Sequence, residues 1–137
     1  MAPKKTSANT YIYALGRRKA AVATVKLFTG KGDSTVNGLS LEKYFPTKTE
    51  KISYDKPFNI TKTLGKYHLQ SKIIGGGKTG QVQALSLAIS RCLIKINELF
   101  KPDLRAAGLL TVDSRVKERR MVGTGGKSRR QKQSPKR

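Results

Sequence analysis

Apolar residues alternate loosely with small or polar ones in two stretches near the start of the chain, Tyr11 to Leu15 and Ala20 to Phe28. Val22, Val25 and Leu27 are the apolar members of the second, and patterning of this kind predicts strands. Thr29-Gly30-Lys31-Gly32-Asp33 carries turn chemistry. It leads into a short extended piece, Ser34 to Asn37, closed by Gly38, so that an antiparallel meander is expected. Ser40 to Phe45 predicts a short helix stopped at Pro46, with the Ser40 hydroxyl placed to accept from a first-turn amide. Pro57 to Lys62 predicts another, with Pro57 in its first turn. Tyr67 to Ile74 reads as a strand through Tyr67, Leu69 and Ile73.

The pattern changes period after a glycine run. From Thr79 to Asn97, Val82, Leu85, Ile89, Leu93 and Ile96 recur at steps of three and four, with Ala88 and Cys92 beside them. That is one apolar stripe on a long helix. A shorter helix is expected to start near Pro102 or Asp103 and to end at Gly108. Strands followed by helices, without strict βαβ repetition, predict an α+β sandwich of a small sheet and helices.

Charge alters this picture more than composition does. The 137 residues include 29 Lys and Arg against 8 Asp and Glu, a net +21, and only 36% are hydrophobic. Like charge at that density repels itself, and a partner with regular negative charge relieves the cost while releasing counterions. Nucleic acid fits that description. An anionic membrane would call for a basic helix with a bulky apolar face, which the basic stretches lack. The charge is unevenly spread: residues 1–19 and 115–137, under a third of the chain, hold 15 of the 29 cations and one of the 8 acids. The chain therefore divides into a flexible N-terminal segment (1–10), a globular domain (11–114) and an extended basic tail (115–137). The tail, with Val116, Met121 and Val122 as its bulky apolar residues, cannot bury enough surface to offset backbone ordering. Fully extended, the 17 residues from Met121 would reach roughly 55–60 Å, far enough to thread between RNA helices.

Candidate chemistry is sparse. Gly75-Gly76-Gly77-Lys78-Thr79-Gly80 joins a strand to the long helix, where glycines allow close approach and free amides attract phosphate. A nucleotide-binding P-loop needs glycine five positions before Gly77, and Lys72 stands there, so Lys78 is assigned to RNA phosphate instead. Gly16-Arg17-Arg18-Lys19 joins two strands and suits gripping backbone phosphates rather than reading bases. His68 is the sole histidine, with no triad or metal partner apparent. Cys92, the sole cysteine, falls on the apolar stripe. Glu42, Glu50 and Asp55 show no acid–base pattern. Tyr44, Phe45, Tyr54 and Phe58 lie among Lys43, Lys48, Lys51 and Lys56, where base stacking is one role and core packing the preferred one. No catalysis, cofactor or metal is called for, and the first ten residues lack a secretory apolar run. The rivals are a nucleoid-type DNA binder and, from the glycine loop alone, a small phosphotransferase.

Several segments belong together. They are Gly16-Arg17-Arg18-Lys19 with Ala21-Val22-Ala23, Val36-Asn37-Gly38, Tyr44-Phe45-Pro46, and Gly75-Gly76-Gly77 with Gly80-Gln81. After them come Ala107 to Arg115, Val116-Lys117-Glu118-Arg119-Arg120 and the terminal Lys136-Arg137. In order and spacing this set, covering about residues 11–137, resembles the universal S-nine family of small-subunit ribosomal proteins in its bacterial and organellar branch. The resemblance implies a ribosomal S-five second-domain-like fold bound to rRNA in the head of the small subunit, beside other ribosomal proteins there. It implies a tail running toward P-site tRNA, and no membrane or small-molecule substrate. Arg17, Arg18, Lys19, Arg119, Arg120, Lys127, Arg129 and Arg130 would meet rRNA. Arg115 and Lys117, at the root of the basic tail, are counted with them, and Lys136 and Arg137 would face tRNA. The chain departs from the family in carrying Ser86 where an arginine is usual, and Ser134-Pro135 where an aromatic residue is. Without a transit peptide, the expected setting is a bacterial cytoplasm or an organelle, with the plastid preferred.

Overall fold

The structure is a computed structural model and describes residues 10–129. Two long strands, β1 (Tyr11–Arg18) and β2 (Ala21–Thr29), form a hairpin in which Arg18 pairs with Ala21 and Tyr11 with Phe28. The turn is made by Lys19 and Ala20. Lys19 takes φ of 53°, the left-handed twist that tight hairpins require, at a cost of roughly 1 kcal/mol for a residue with a side chain. Two short strands follow, β3 (Thr35–Val36) and β4 (Leu39–Ser40), and later β5 (Tyr67–Ile74).

The sheet is mixed, with order β1-β2-β5-β3-β4, so the antiparallel meander expected from the sequence is not what forms. β5 inserts between β2 and β3, antiparallel to β2 and parallel to β3. The reason is ladder length: β5 pairs with β2 over eight residues, whereas β3 offers only two. Asn37 completes the weak side of this arrangement. Its amide donates to Ile73 O at 3.0 Å and its carbonyl accepts from Ile73 N at 2.9 Å, continuing the ladder through a side chain.

Among the described residues there are four α-helices, α1 (Leu41–Tyr44), α2 (Lys48–Thr61), α3 (Lys78–Ile96) and α4 (Lys101–Ala106), the last entered through a 3-10 turn at Glu98–Phe100. Ser40 stands at the N-cap of α1, but its hydroxyl makes no cap bond; the Leu41 amide donates to Ser34 O instead. The second helix begins at Lys48, well before Pro57, which lies inside it rather than in its first turn. A capping box of Thr47 and Glu50 starts it, the Thr47 amide donating to Glu50 Oε2 at 3.2 Å. Buried among apolar neighbours, Pro57 is kept within a helix whose packed face includes Tyr54 and Phe58.

The core lies between one face of the sheet and α3. Ala21, Ala23, Val25 and Leu27 of β2, with Leu69 and Ile73 of β5, meet Val82, Leu85, Ile89 and Leu93. Small residues let the layers close: a Cβ on Gly16 would sit 2.0 Å from the Ala84 carbonyl oxygen, so β1 accepts only glycine there. On the opposite face Tyr11, Tyr13, Lys26, Gln70, Lys72 and Ile74 are exposed. β1 is an edge strand, and α3 covers its outward carbonyls, with Arg91 donating to Leu15 O and Lys95 to Tyr13 O.

Candidate RNA interface

The β1–β2 turn brings three separate basic segments to one end of the sheet. Arg17 and Lys19 are exposed there. The glycine run packs directly against the turn: Gly75 and Gly76 adopt φ of 74° and 66°, and a Cβ on Gly75 would lie 2.6 Å from Ala20 O. The chain leaving α4 returns to the same place, so that Arg17, Arg18 and Lys19 face Val112, Asp113, Ser114 and Val116 across a shallow groove.

Arg18 fastens that return. Its side chain is only 12% exposed, and all three guanidinium nitrogens are engaged. Nε donates to Gln83 Oε1 at 2.8 Å, Nη1 to the Arg115 carbonyl at 2.8 Å, and Nη2 lies 3.4 Å from Asp113 Oδ2. Arg115 then clasps Asp113 in a fork, Nε at 2.9 Å from Oδ1 and Nη2 at 2.7 Å from Oδ2. The Arg115 hydrogen bonds hold the Asp113 carboxyl well below the usual carboxylate range, helped by the charges of Arg115 and Arg18. Asp113 in turn raises Arg115. Asp113 and Gln83 were not among the residues singled out from sequence, and only the i, i+2 spacing of Asp113 and Arg115 hinted at their pairing.

Other predicted cations divide by direction. Lys78 donates to Tyr44 O at 3.0 Å and its ammonium rests 3.4 Å from the Tyr44 ring centroid, so it braces α1 from the glycine loop. Phe45, Tyr54 and Phe58 are buried, which leaves them to the core, while Lys43, Lys48, Lys51 and Lys56 stay exposed. Past the clamp, Lys117, Arg119, Arg120, Lys127 and Arg129 are all exposed on a path without helix or strand. That path bends rather than running straight: Thr124 donates through Oγ1 to Met121 O at 2.8 Å, and Arg120 reaches Ser128 Oγ at 3.3 Å. Arg130, Lys136 and Arg137, with the remaining residues of 130–137 and residues 1–9, lie outside the described residues.

Elsewhere the chemistry is quiet. Cys92 is buried, and burial pushes its thiol up to about 12. His68 stacks on Phe28 with ring centroids 5.2 Å apart. Among the described residues no three His, Cys, Asp or Glu side chains are grouped to hold a metal ion, and no helix is long and apolar enough to cross a membrane.

These features define a small α+β protein that presents a cation-rich margin at one end of its sheet. Its relatives narrow the class. A family model described as ribosomal protein S9/S16 matches residues 16–137, and the chain belongs to that family. It is 48% identical over 114 residues to the small ribosomal subunit protein uS9 of Maridesulfovibrio salexigens, covering 83% of this chain and 88% of that protein. Against the uS9 protein of Methylacidiphilum infernorum it is 45% identical over 122 residues, covering 89% and 90%. The uS9 protein of Cytophaga hutchinsonii is 46% identical over 110 residues, covering 80% and 86%.

Proposed function

We propose that this protein is a structural constituent of the small ribosomal subunit, holding rRNA of the head through the margin at the β1–β2 turn and through its basic tail. The observation that carries this is the convergence of Arg17, Lys19 and the 112–116 segment on one groove, with the tail's first cations leaving from it. A cationic edge that continues into a cationic segment without helix or strand follows a phosphate backbone without reading bases. Arg17, Lys19, Arg115, Lys117, Arg119, Arg120, Lys127, Arg129 and Arg130 are the contacts we assign to rRNA. Arg18 and Lys78, also assigned to rRNA, support the others through the fold, the first by fixing the tail root and the second by bracing the loop. Lys136 and Arg137 reach toward P-site tRNA, and other head proteins are its neighbours. The role is structural, not catalytic.

The bacterial relatives favour a bacterial-type ribosome, in a bacterium or an organelle. The plastid remains the narrower reading, tested by finding which genome encodes the chain. Sedimentation of the tagged protein through a gradient after a high-salt wash tests the function itself. Stoichiometric recovery in the small-subunit peak is expected. Recovery at the top of the gradient, or with DNA, would overturn the assignment. Deleting Lys136 and Arg137 is expected to leave assembly intact and to weaken P-site tRNA binding to the mutant subunits.

A further inference from the structure

Asn37 and Gly38 form the two-residue turn between β3 and β4, with Val36 paired to Leu39 on either side of it. Their φ angles, 49° and 82°, are the left-handed pair that a tight hairpin turn demands, and both residues are exposed to water. This is the one Asn-Gly pair in the sequence. A glycine nitrogen has no side chain beside it, so it can attack the side chain of the asparagine that precedes it. Asn9, Asn59 and Asn97 are followed by Thr10, Ile60 and Glu98, whose side chains obstruct the same approach.

In the folded chain the attack is blocked by what Asn37 does for the sheet. Nδ2 donates to Ile73 O at 3.0 Å while Oδ1 accepts from Ile73 N at 2.9 Å, so both ends of the carboxamide are tied to β5. To react, its carbon must turn face-on to the Gly38 nitrogen, and that rotation breaks both bonds. The tie is slender. β3 meets β5 over two residues, helped by the Asn37 amide on Ser71 O at 3.0 Å, Ser71 Oγ on Thr35 O at 3.3 Å and the Leu69 amide on Ser34 Oγ at 3.4 Å. A short edge hairpin of this kind opens locally far more often than the whole domain unfolds.

We propose that Asn37-Gly38 is a self-modification site, deamidated through a cyclic imide, which docking of β3 and β4 on β5 holds shut. When the hairpin lifts, the Gly38 nitrogen bonds to Asn37 Cγ. The Cγ–Nδ2 bond breaks, and ammonia leaves with the glycine proton. Water then opens the imide at either carbonyl, giving aspartate or isoaspartate. Neither product redocks. A carboxylate has no N–H for Ile73 O and sets a negative oxygen against it, while isoaspartate adds a backbone atom to a turn built for two residues. The change is one-way, and it strips β5 of its outer partner on the side of the sheet away from β1.

The test incubates the full-length chain at mildly alkaline pH, native in one arm and in urea in the other. Peptide mass spectrometry with isoaspartate resolved follows each asparagine. In urea Asn37 is expected to deamidate well ahead of Asn9, Asn59 and Asn97, and natively it should do so at least about tenfold more slowly. S71A, which removes the Ser71 Oγ bond to Thr35, should speed native deamidation about fivefold and leave the urea rate unchanged. R18Q weakens the fold without touching the hairpin, so its native rate should match the parent's. Equal native and urea rates, or no preference for Asn37 in urea, would overturn the site. Acceleration by R18Q as large as that by S71A, or none by S71A, would overturn the hairpin as the gate.

Discussion

Replacing Arg18 with glutamine removes a side chain that joins β1, α3 and the outgoing chain. Three interactions go: the 2.8 Å bond to Gln83, the 2.8 Å bond to the Arg115 carbonyl, and the 3.4 Å ion pair with Asp113. A hydrogen bond contributes roughly 1 kcal/mol net, and the solvent-screened ion pair adds little. The variant should therefore lose about 2 kcal/mol, seen as a fall of roughly 1 M in the urea midpoint. Arg17 next to it has no such partners among the described residues, so R17Q should stay within about 0.5 kcal/mol of the parent. Binding to structured RNA should separate the pair the other way. R17Q lowers the salt-dependence slope by about one phosphate contact, whereas R18Q loses affinity with a smaller change of slope. Because Asp113 is held below its ordinary range, its share in the clamp is present above about pH 4, where an unfolded aspartate has already ionised. That share fades only as the pH falls further, so the stability gap between the variants should be level from pH 5 to 8. Equal urea midpoints for R17Q and R18Q would refute the clamp. Equal slope losses would return Arg18 to the phosphate-gripping residues.

Gly16→Ala should cost about 3 kcal/mol or more, because its methyl group collides with the Ala84 backbone, while Gly77→Ala, with open space around it, should be close to neutral by the same urea titration. Cys92 should resist iodoacetamide at pH 8 in the folded protein and react quickly in urea. Since its folded thiol ionises only near 12, it contributes stability that is fully present below about pH 8.5 and lost as the pH rises toward 12. Asn37→Ala should lose about 2 kcal/mol in the same denaturation assay, from two ladder-like bonds to Ile73, and should raise amide exchange at Ile73.

What could be read from the sequence follows element length. β1, β2, β5 and α3 each run eight residues or more, and their periods survive local noise. The parallel pairing of β3 with β5 was illegible because two residues carry no period; Asn37, which stabilises the arrangement, reads simply as a turn residue. Pro57 misled for a different reason. Proline favours a first helical turn, yet the capping box at Thr47 and Glu50 sets the start of α2 at Lys48. At the candidate interface the sequence showed where positive charge is dense but not which way each side chain points. Gly16 to Lys19 looked like one phosphate grip, and within it Arg18 is turned onto the protein. The glycine loop was placed correctly as the link into α3, while the Tyr44 carbonyl that receives Lys78 belongs to a helix thirty-four residues away.

That division of labour among cations bears on how a chain of +21 stays folded at all. Surface charge repels itself, but a cation that donates to a carbonyl supplies structure as well as charge. Arg18, Lys78, Arg91 and Lys95 all donate to backbone carbonyls, of Arg115, Tyr44, Leu15 and Tyr13 respectively. Three of the four lie on α3 or at its first residue, so the helix that forms the core's apolar face also closes the sheet edge with its polar side. Covering the outward carbonyls of β1 removes the template on which a second chain would add a strand. Arg17 and Lys19, by contrast, stay exposed at the turn, where the sheet ends and the tail begins. On this argument, Arg91→Ala should promote self-association of the free protein more than Arg17→Ala does, although both remove one positive charge. Light scattering at matched concentration decides it, and equal association by the two variants would mean that net charge alone keeps the chains apart.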